Sequence, residues 1–368
     1  MFLINKRFFR HFDWVTLILI VTLACLGLLF IFSATYKPEA PFSIFFKKQT
    51  FGIVAGIFLY LLVSLIDYRV WMRIGYFLYI ISIGLLIFTL AKGSVGMGGQ
   101  RWINLFFFKV QTAELAKLFF PAFFAYYLQT HKNTEHLAFR HFIPIILSLG
   151  VSGFLIAKQP DLGTALLFLL SGFILLWLAG INKKFFIYGG LIFLISAPIS
   201  WNLLKDYQKR RITTFLGQGK SEKERYQLDQ SHIAIGSGGM LGKGLLQGTQ
   251  NRLLFLPESR TDFIFSVLCE ELGFAGAFFV LLLYLMLFLR LFSFIKTMQT
   301  PVMQLFATGL IIHIILSTII NLFMVTGLLP IVGIPLPLMS YGLSNLWITF
   351  IAFGWFHSIS TQQTYVVE

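Results

Sequence analysis

Residues 14–34 read WVTLILIVTLACLGLLFIFSA, an unbroken apolar run of 21 residues with Lys6, Arg7 and Arg10 just ahead of it. The apolar core of a cleavable signal peptide is roughly 7–15 residues long, whereas about 20 residues at 1.5 Å each cross the hydrocarbon layer. The run is therefore read as a retained first transmembrane helix whose cytoplasmic end comes first. Further runs of spanning length occur at 51–66, 71–91, 113–128, 142–157, 162–180, 185–204, 263–289, 302–329 and 340–359, which makes ten. They are continuous rather than alternating, so a transmembrane barrel is excluded and an all-α polytopic bundle is expected.

An even number of spans returns both termini to one side. Counting Lys and Arg in the short loops gives eleven on the side of the N-terminus and seven on the other, which places both termini in the cytoplasm. The outer cations, among them Lys92, Arg101, Lys109 and Lys158, run against that rule and point to a use for positive charge outside. Composition agrees with a membrane chain. Of 368 residues, 57% are apolar and 12% charged, with a mean hydropathy of +0.80, which excludes a water-soluble domain. The formal charge of +14 then fits anionic lipid or phosphate rather than nucleic acid. Cys25 and Cys269 both lie in apolar runs, where neither a disulfide nor a metal site is expected.

The one long polar segment, about 205–261, joins the seventh and eighth spans on the outer face and carries ten Lys or Arg. Its apolar clusters HIAIGSGGM and RLLFL predict ordered, partly embedded structure rather than a free loop. With no repeat, low-complexity tract or soluble unit, residues 1–368 form one transmembrane domain. The stretch IGSGGMLGKG at 235–244 has neither the spacing of a phosphate-binding loop nor that of a dinucleotide fingerprint. Two readings remain for it: a re-entrant turn that lets backbone pass close to helices, or a set of N–H groups facing a pyrophosphate.

Ionisable groups at bilayer depth mark sites or internal pairs, because burying them alone is costly. Glu114 and Lys117, three apart on the fourth span, can neutralise each other. In PESRTDF, Asp262 is expected in the first helical turn of the eighth span, exposed and ionised, with Ser259 or Thr261 as N-cap. The plain alternative for Asp262 itself is helix capping. Glu270 and Glu271 fall on different faces of that helix, so at least one needs a partner from elsewhere, and both are read as structural. His313 and Asn321 are read as hydrogen-bonded packing residues. The proline-rich PIVGIPLPLMSYG at 330–342 cannot be regular helix and should lead into the last span from outside.

The chain resembles the SEDS (shape, elongation, division and sporulation) family. The resemblance rests on GGQRWINL at 98–105, AELAKL at 113–118, KQPDLGTAL at 158–166, QSHIAIGSGGMLGKGLLQGTQ at 230–250, FLPESRTDFIFSVLCEELG at 255–273 and GLLPIVGIPLPLMSYG at 327–342. The last of these and the short termini are more like its elongation branch than its division branch. Arg260, Cys269 and Thr112 depart from the family pattern, and none removes a charge of the expected site.

The resemblance implies a peptidoglycan glycosyltransferase that polymerises lipid II in the bacterial inner membrane during elongation. It implies Asp262 as the essential extracytoplasmic carboxylate and Glu114 with Lys117 as a cavity ion pair. It also implies a divalent cation, Mg or Mn, a class B penicillin-binding protein supplying the transpeptidase, and other elongation-complex membrane proteins as partners. The residues suit that chemistry. A sugar hydroxyl attacking an anomeric carbon needs one general base, while pyrophosphate leaves as an anion and needs only cations. Arg101, Lys158, Lys243, Arg252 and Arg260 in outer segments can supply them, with Asp161 and Glu258 in the same motifs as further substrate-binding candidates. Inversion at the anomeric carbon is expected. The competing classes are a flippase for the lipid-linked precursor and a structural scaffold for wall synthesis.

Overall fold

Polar residues punctuate the apolar runs. Backbone N–H groups at helix starts are taken up by Asp13 (from Thr16 N, 3.2 Å), Ser43 (Phe46 N, 3.1 Å), Asp67 (Arg69 N, 2.8 Å), Asp161 (Thr164 N, 3.3 Å) and Thr300 (Met303 N, 3.2 Å). The structure, a computed structural model, describes residues 12–96, 99–105, 108–131, 139–203, 206–215, 222–253 and 255–367. Lys6, Arg7, Arg10, Gly98, Lys132 and Lys205, used in the reading above, lie outside them.

Each of the ten expected runs coincides with a helix: α1 Trp14–Thr35, α2 Ile44–Ser64, α3 Tyr68–Lys92, α4 Thr112–Thr130, α5 Ile143–Lys158, α6 Leu162–Leu178, α7 Lys183–Leu203, then α11 Ile264–Thr297, α12 Pro301–Val325 and α13 Leu343–Val367. Among the described residues, six helical segments are long and apolar enough to cross a membrane: α1, α2, α3, α11, α12 and Phe139–Lys158, which is α5 with a preceding short 3-10 turn. The chain is a multi-pass membrane protein. α12 is the most enclosed, with 67% of its apolar window buried, and it packs against α4, α6, α11 and α13. A helix apolar on all sides belongs at the centre of a bundle. Trp355 of α13 fills the space between α3, α4 and α12 through ring contacts with Trp71, Phe119 and Phe306.

Two features depart from the all-α expectation of a bundle with one loop. After α3 the chain forms a small antiparallel sheet, β1 Ser94–Gly96, β2 Gly99–Leu105 and β3 Phe108–Gln111, in the order β1-β2-β3. QRWINL has no clean polar–apolar alternation, and it is too short to stand out against its apolar neighbours. The long polar segment is also largely helical among the described residues, with α8 Asp206–Phe215, α9 Glu222–Ser237 and the single turn α10 Thr249–Arg252.

Between α9 and α10 the glycine-rich stretch lies against α11 where that helix is broken. Gly273 has φ 64° and ψ −161°, so the regular ladder is interrupted there. Lys243 N and Gly244 N donate to the carbonyls of Glu270 (3.0 Å) and Glu271 (2.9 Å), while Phe274 N and Ala275 N donate to Gly239 O (2.8 Å) and Met240 O (3.0 Å). The approach is so close that a Cβ at Gly238 would fall 1.9 Å from the Cys269 carbonyl oxygen. The re-entrant reading therefore describes this segment. The amides of Gly242, Lys243 and Gly244 are all given to protein carbonyls, so these three do not face a pyrophosphate.

Candidate active site

Asp262 sits in the turn that precedes α11 rather than in its first turn, and the helix N-cap is Phe263, which makes no side-chain cap. Thr261 does not cap either, because its hydroxyl donates to the carbonyl (3.2 Å) and the Oε2 (3.1 Å) of Glu258. Capping thus fails as an account of this motif. Two side chains from other elements hold the turn. Buried Asn321 of α12 donates to the carbonyls of Asp262 (2.9 Å) and Ile334 (2.7 Å), and Ser340 donates to the Thr261 carbonyl (2.5 Å). Tyr341 N also donates to Arg260 O at 2.9 Å, so the proline-rich segment and the Asp262 turn form one platform.

The expectation of an exposed, always ionised Asp262 is corrected. The side chain is half-buried, and its pKa is pushed up to about 7, first by burial and then by Glu258, with Asp161 adding to the rise and Arg211 opposing it. Lost solvation and like charges both disfavour the carboxylate, while the guanidinium favours it. Arg211 of α8 was not singled out in the sequence. Its signal is the basic run KRR at 209–211 in a short helix, and its link to Asp262 is purely tertiary. Beside it, Arg211, Thr214, Phe215, Leu228 and residues 329–331 line a mostly apolar pocket.

The other expected residues divide into two groups. Arg101, on β2, reaches across to the end of α5, donating to the carbonyls of Gln159 (3.1 Å) and Pro160, and lies 3.7 Å from Asp161 Oδ2. Asp161 also accepts from Gln111 Nε2 at 2.7 Å. These contacts brace the sheet against the α5–α6 corner, whose carboxylate acts electrostatically on Asp262. Arg260 stacks on Phe45 at 4.1 Å, and Lys158 lies 5.3 Å from the Phe154 ring centroid. Arg252 is exposed at the end of α10. Lys243 is committed elsewhere, with its ammonium 2.6 Å from Glu270 Oε1.

Glu114 and Lys117 of α4 pair as their spacing implies, Nζ to Oε1 at 2.6 Å, with side chains only 6% and 5% exposed. Asn345 of α13 donates to the free Glu114 oxygen at 3.3 Å. His313 of α12 is buried, its Nδ1 at 3.4 Å from Gly309 O.

A divalent cation at Asp262 would need further unengaged carboxylates. Among the described residues no group of three or more His, Cys, Asp or Glu side chains is set to hold a metal. Asp161 is already taken by Thr164, Gln111 and Arg101, and Glu258 by Thr261. The donor set does not fit a resident cation there.

A family model for cell cycle proteins of the FtsW, RodA and SpoVE types matches residues 13–365. The peptidoglycan glycosyltransferase MrdB of Escherichia coli (strain K12) is 36% identical over 372 residues, covering 98% of this chain and 97% of the relative. The probable peptidoglycan glycosyltransferase FtsW of Geobacter sulfurreducens (strain DL-1 / KN400) is 34% identical over 369 residues and 98% of each chain. Among solved structures, a chain of a peptidoglycan synthase complex that coordinates polymerization and crosslinking superposes with a TM-score of 0.81 at 26% identity, over 96% of this chain and 98% of that one. The rod shape determining protein RodA of Thermus thermophilus shares the fold, with a TM-score of 0.71 at 24% identity over 96% and 97% of the two chains.

Proposed function

Because the chain belongs to the FtsW/RodA/SpoVE family of cell cycle proteins, we infer that it joins lipid-linked disaccharides at the outer face of the bacterial inner membrane, with Asp262 as general base. It is a peptidoglycan glycosyltransferase of the elongation, RodA-like type. Asp262 takes the proton of the attacking sugar hydroxyl as the new bond forms at the anomeric carbon of the second lipid II. The bond from that carbon to the pyrophosphate breaks with its electron pair, and polyprenyl pyrophosphate departs as an anion. Attack opposite the leaving group inverts the anomeric carbon. The observation that carries this reading is the half-buried Asp262 carboxyl with its pKa near 7, since a base works best when poised near the working pH. Arg211 and Arg260 flank the turn and suit the departing charge, and the apolar pocket at Arg211 suits a lipid-linked substrate.

A transpeptidase is assigned to a partner, a class B penicillin-binding protein. The Ser-x-x-Lys tetrad at 293–296 lies in the last turns of α11, with the Ser293 hydroxyl on the Arg290 carbonyl at 2.7 Å, and no soluble domain surrounds it. Purified chain incubated with lipid II should form glycan polymer, faster with the cognate transpeptidase present. Movement of labelled lipid II across a bilayer without polymer, even with that partner, would instead identify a flippase.

The reading requires ten spans, cytoplasmic termini and an outer 205–261 segment. In a chain lacking Cys25 and Cys269, an Arg225→Cys variant on α9, at a polar position whose side chain is 74% exposed, should react with an impermeant thiol reagent once the outer barrier is opened. Reaction only after lysis of the inner membrane would put Asp262 on the wrong side of its substrate.

A further inference from the structure

At the break in α11, two consecutive carboxylates are buried, and one cation, Lys243, pairs with the first of them. Glu270 is 0% and Glu271 1% exposed. Glu270 Oε1 is fully engaged, accepting from Lys243 Nζ (2.6 Å), Thr249 Oγ1 (3.0 Å) and Gln250 N (3.1 Å). Glu271 Oε1 accepts from the Ser33 hydroxyl of α1. The second oxygen of each carboxylate has no hydrogen-bond donor, although the amides of Leu246 and Gly248 lie near Glu271. The two groups converge on one spot, because a Cβ at Gly248 would fall 2.8 Å from Glu270 Oε2 and 3.3 Å from Glu271 Oε1.

Two neutral side chains add the same signature. Asn251, 5% exposed, uses its amide N–H on the Ser33 carbonyl (3.0 Å), next to the hydroxyl that holds Glu271, and its Oδ1 is buried without a donor. Gln250, whose own backbone N–H is on Glu270, likewise buries Oε1 without a donor. Around the Gly248 turn, Glu270 Oε2, Asn251 Oδ1 and Gln250 Oε1 are thus buried acceptors without a donor, while Glu271 has the Leu246 and Gly248 amides beside it. Buried acceptors are normally paired, and a carboxylate pair with a single ammonium leaves one negative charge uncompensated.

We propose that Glu270, Glu271, Asn251 and Gln250 form a site for a hard metal cation, which ties α1, α10 and the broken region of α11 together. Carboxylate and amide oxygens are the ligands such ions take. The cation is structural and sits apart from the Asp262 turn, in the part of the fold where the glycine-rich segment joins α11.

The test is the thermal midpoint of the purified full chain in detergent at equal ionic strength with Na+, Ca2+ or N-methyl-D-glucamine as the cation. A ligand that binds only the folded state raises the midpoint. Na+ or Ca2+ should raise it by several degrees over the organic cation, and which of the two does so identifies the ion class. Glu271→Gln and Asn251→Ala should each abolish the difference. A wild-type midpoint indifferent to the cation would overturn the proposal and leave a proton shared between the carboxylates, or ordered water, as the filler. Variants that keep the full metal response would overturn it equally, and if neither variant folds the wild-type comparison decides alone.

Discussion

Replacing Asp262 with Asn is expected to lower glycan polymerisation by about 10²–10⁴-fold, the usual cost of losing a positioned general base, while leaving folding and lipid binding near normal. The exchange is almost isosteric, and the contacts that hold the turn use the Asp262 carbonyl rather than its carboxylate. The wild-type profile carries a second mark of the same role. A base acts in its deprotonated form, so activity should rise with pH through a midpoint near 7, where burial, Glu258 and Asp161 have moved the Asp262 carboxyl. Glu258→Gln removes one like charge and should move that midpoint toward acid, part of the way only, because burial remains the largest cause. Initial polymerisation rates across pH for the wild type and both variants make the comparison. Near-normal rates for the Asn variant would leave Asp262 without a catalytic role.

The second large effect belongs to the ion pair of α4. Lys117→Ala leaves Glu114 as a buried carboxylate facing only Asn345, and stability should fall by roughly 3–5 kcal/mol, the range seen when one member of a buried pair is removed. The charge-exchanged variant Glu114→Lys/Lys117→Glu rebuilds a pair at the same spacing and should recover most of the thermal midpoint. Polymerisation then separates two roles. A folded but inactive double variant means that the orientation of the pair faces substrate, and full activity means that the pair only holds α4 to α13. A Lys117→Ala midpoint equal to wild type would show that Glu114 is not held as a buried charge.

What the sequence made legible follows from the range of the interactions involved. All ten apolar runs became helices, six of them in segments long and apolar enough to cross a membrane among the described residues, because length and continuity of hydrophobicity are local properties. The Glu114–Lys117 pair was legible for the same reason, since i,i+3 spacing on a helix fixes neighbours without knowledge of the fold. The environment of Asp262 was not. Its carboxyl answers to Glu258 in its own turn, Asp161 from the α5–α6 corner and Arg211 from α8, and only the first of these is close in sequence. Lys243 likewise reads as an outer cation until the glycine-rich segment folds back and delivers it to Glu270. The β1–β3 sheet escaped because no strand exceeds seven residues, between helices of 25 and 19 residues.

The hydrogen bonds exchanged at Gly273 set a rule for which changes this region accepts. In an unbroken helix Phe274 N and Ala275 N would bond to the carbonyls of Glu270 and Glu271. Here those carbonyls receive Lys243 N and Gly244 N, and the displaced amides pass to Gly239 and Met240. The register is written entirely in backbone, so it is blind to most side chains but not to their number. Met240 and Leu241, 71% and 83% exposed, have side chains that pack on little else in the chain, so they can be exchanged for other residues of similar polarity. A single residue inserted or deleted between Gly239 and Lys243 shifts one pair of bonds against the other and strands buried carbonyls or amides in the wall of α11. Length tolerance in this segment therefore ends abruptly at the glycines.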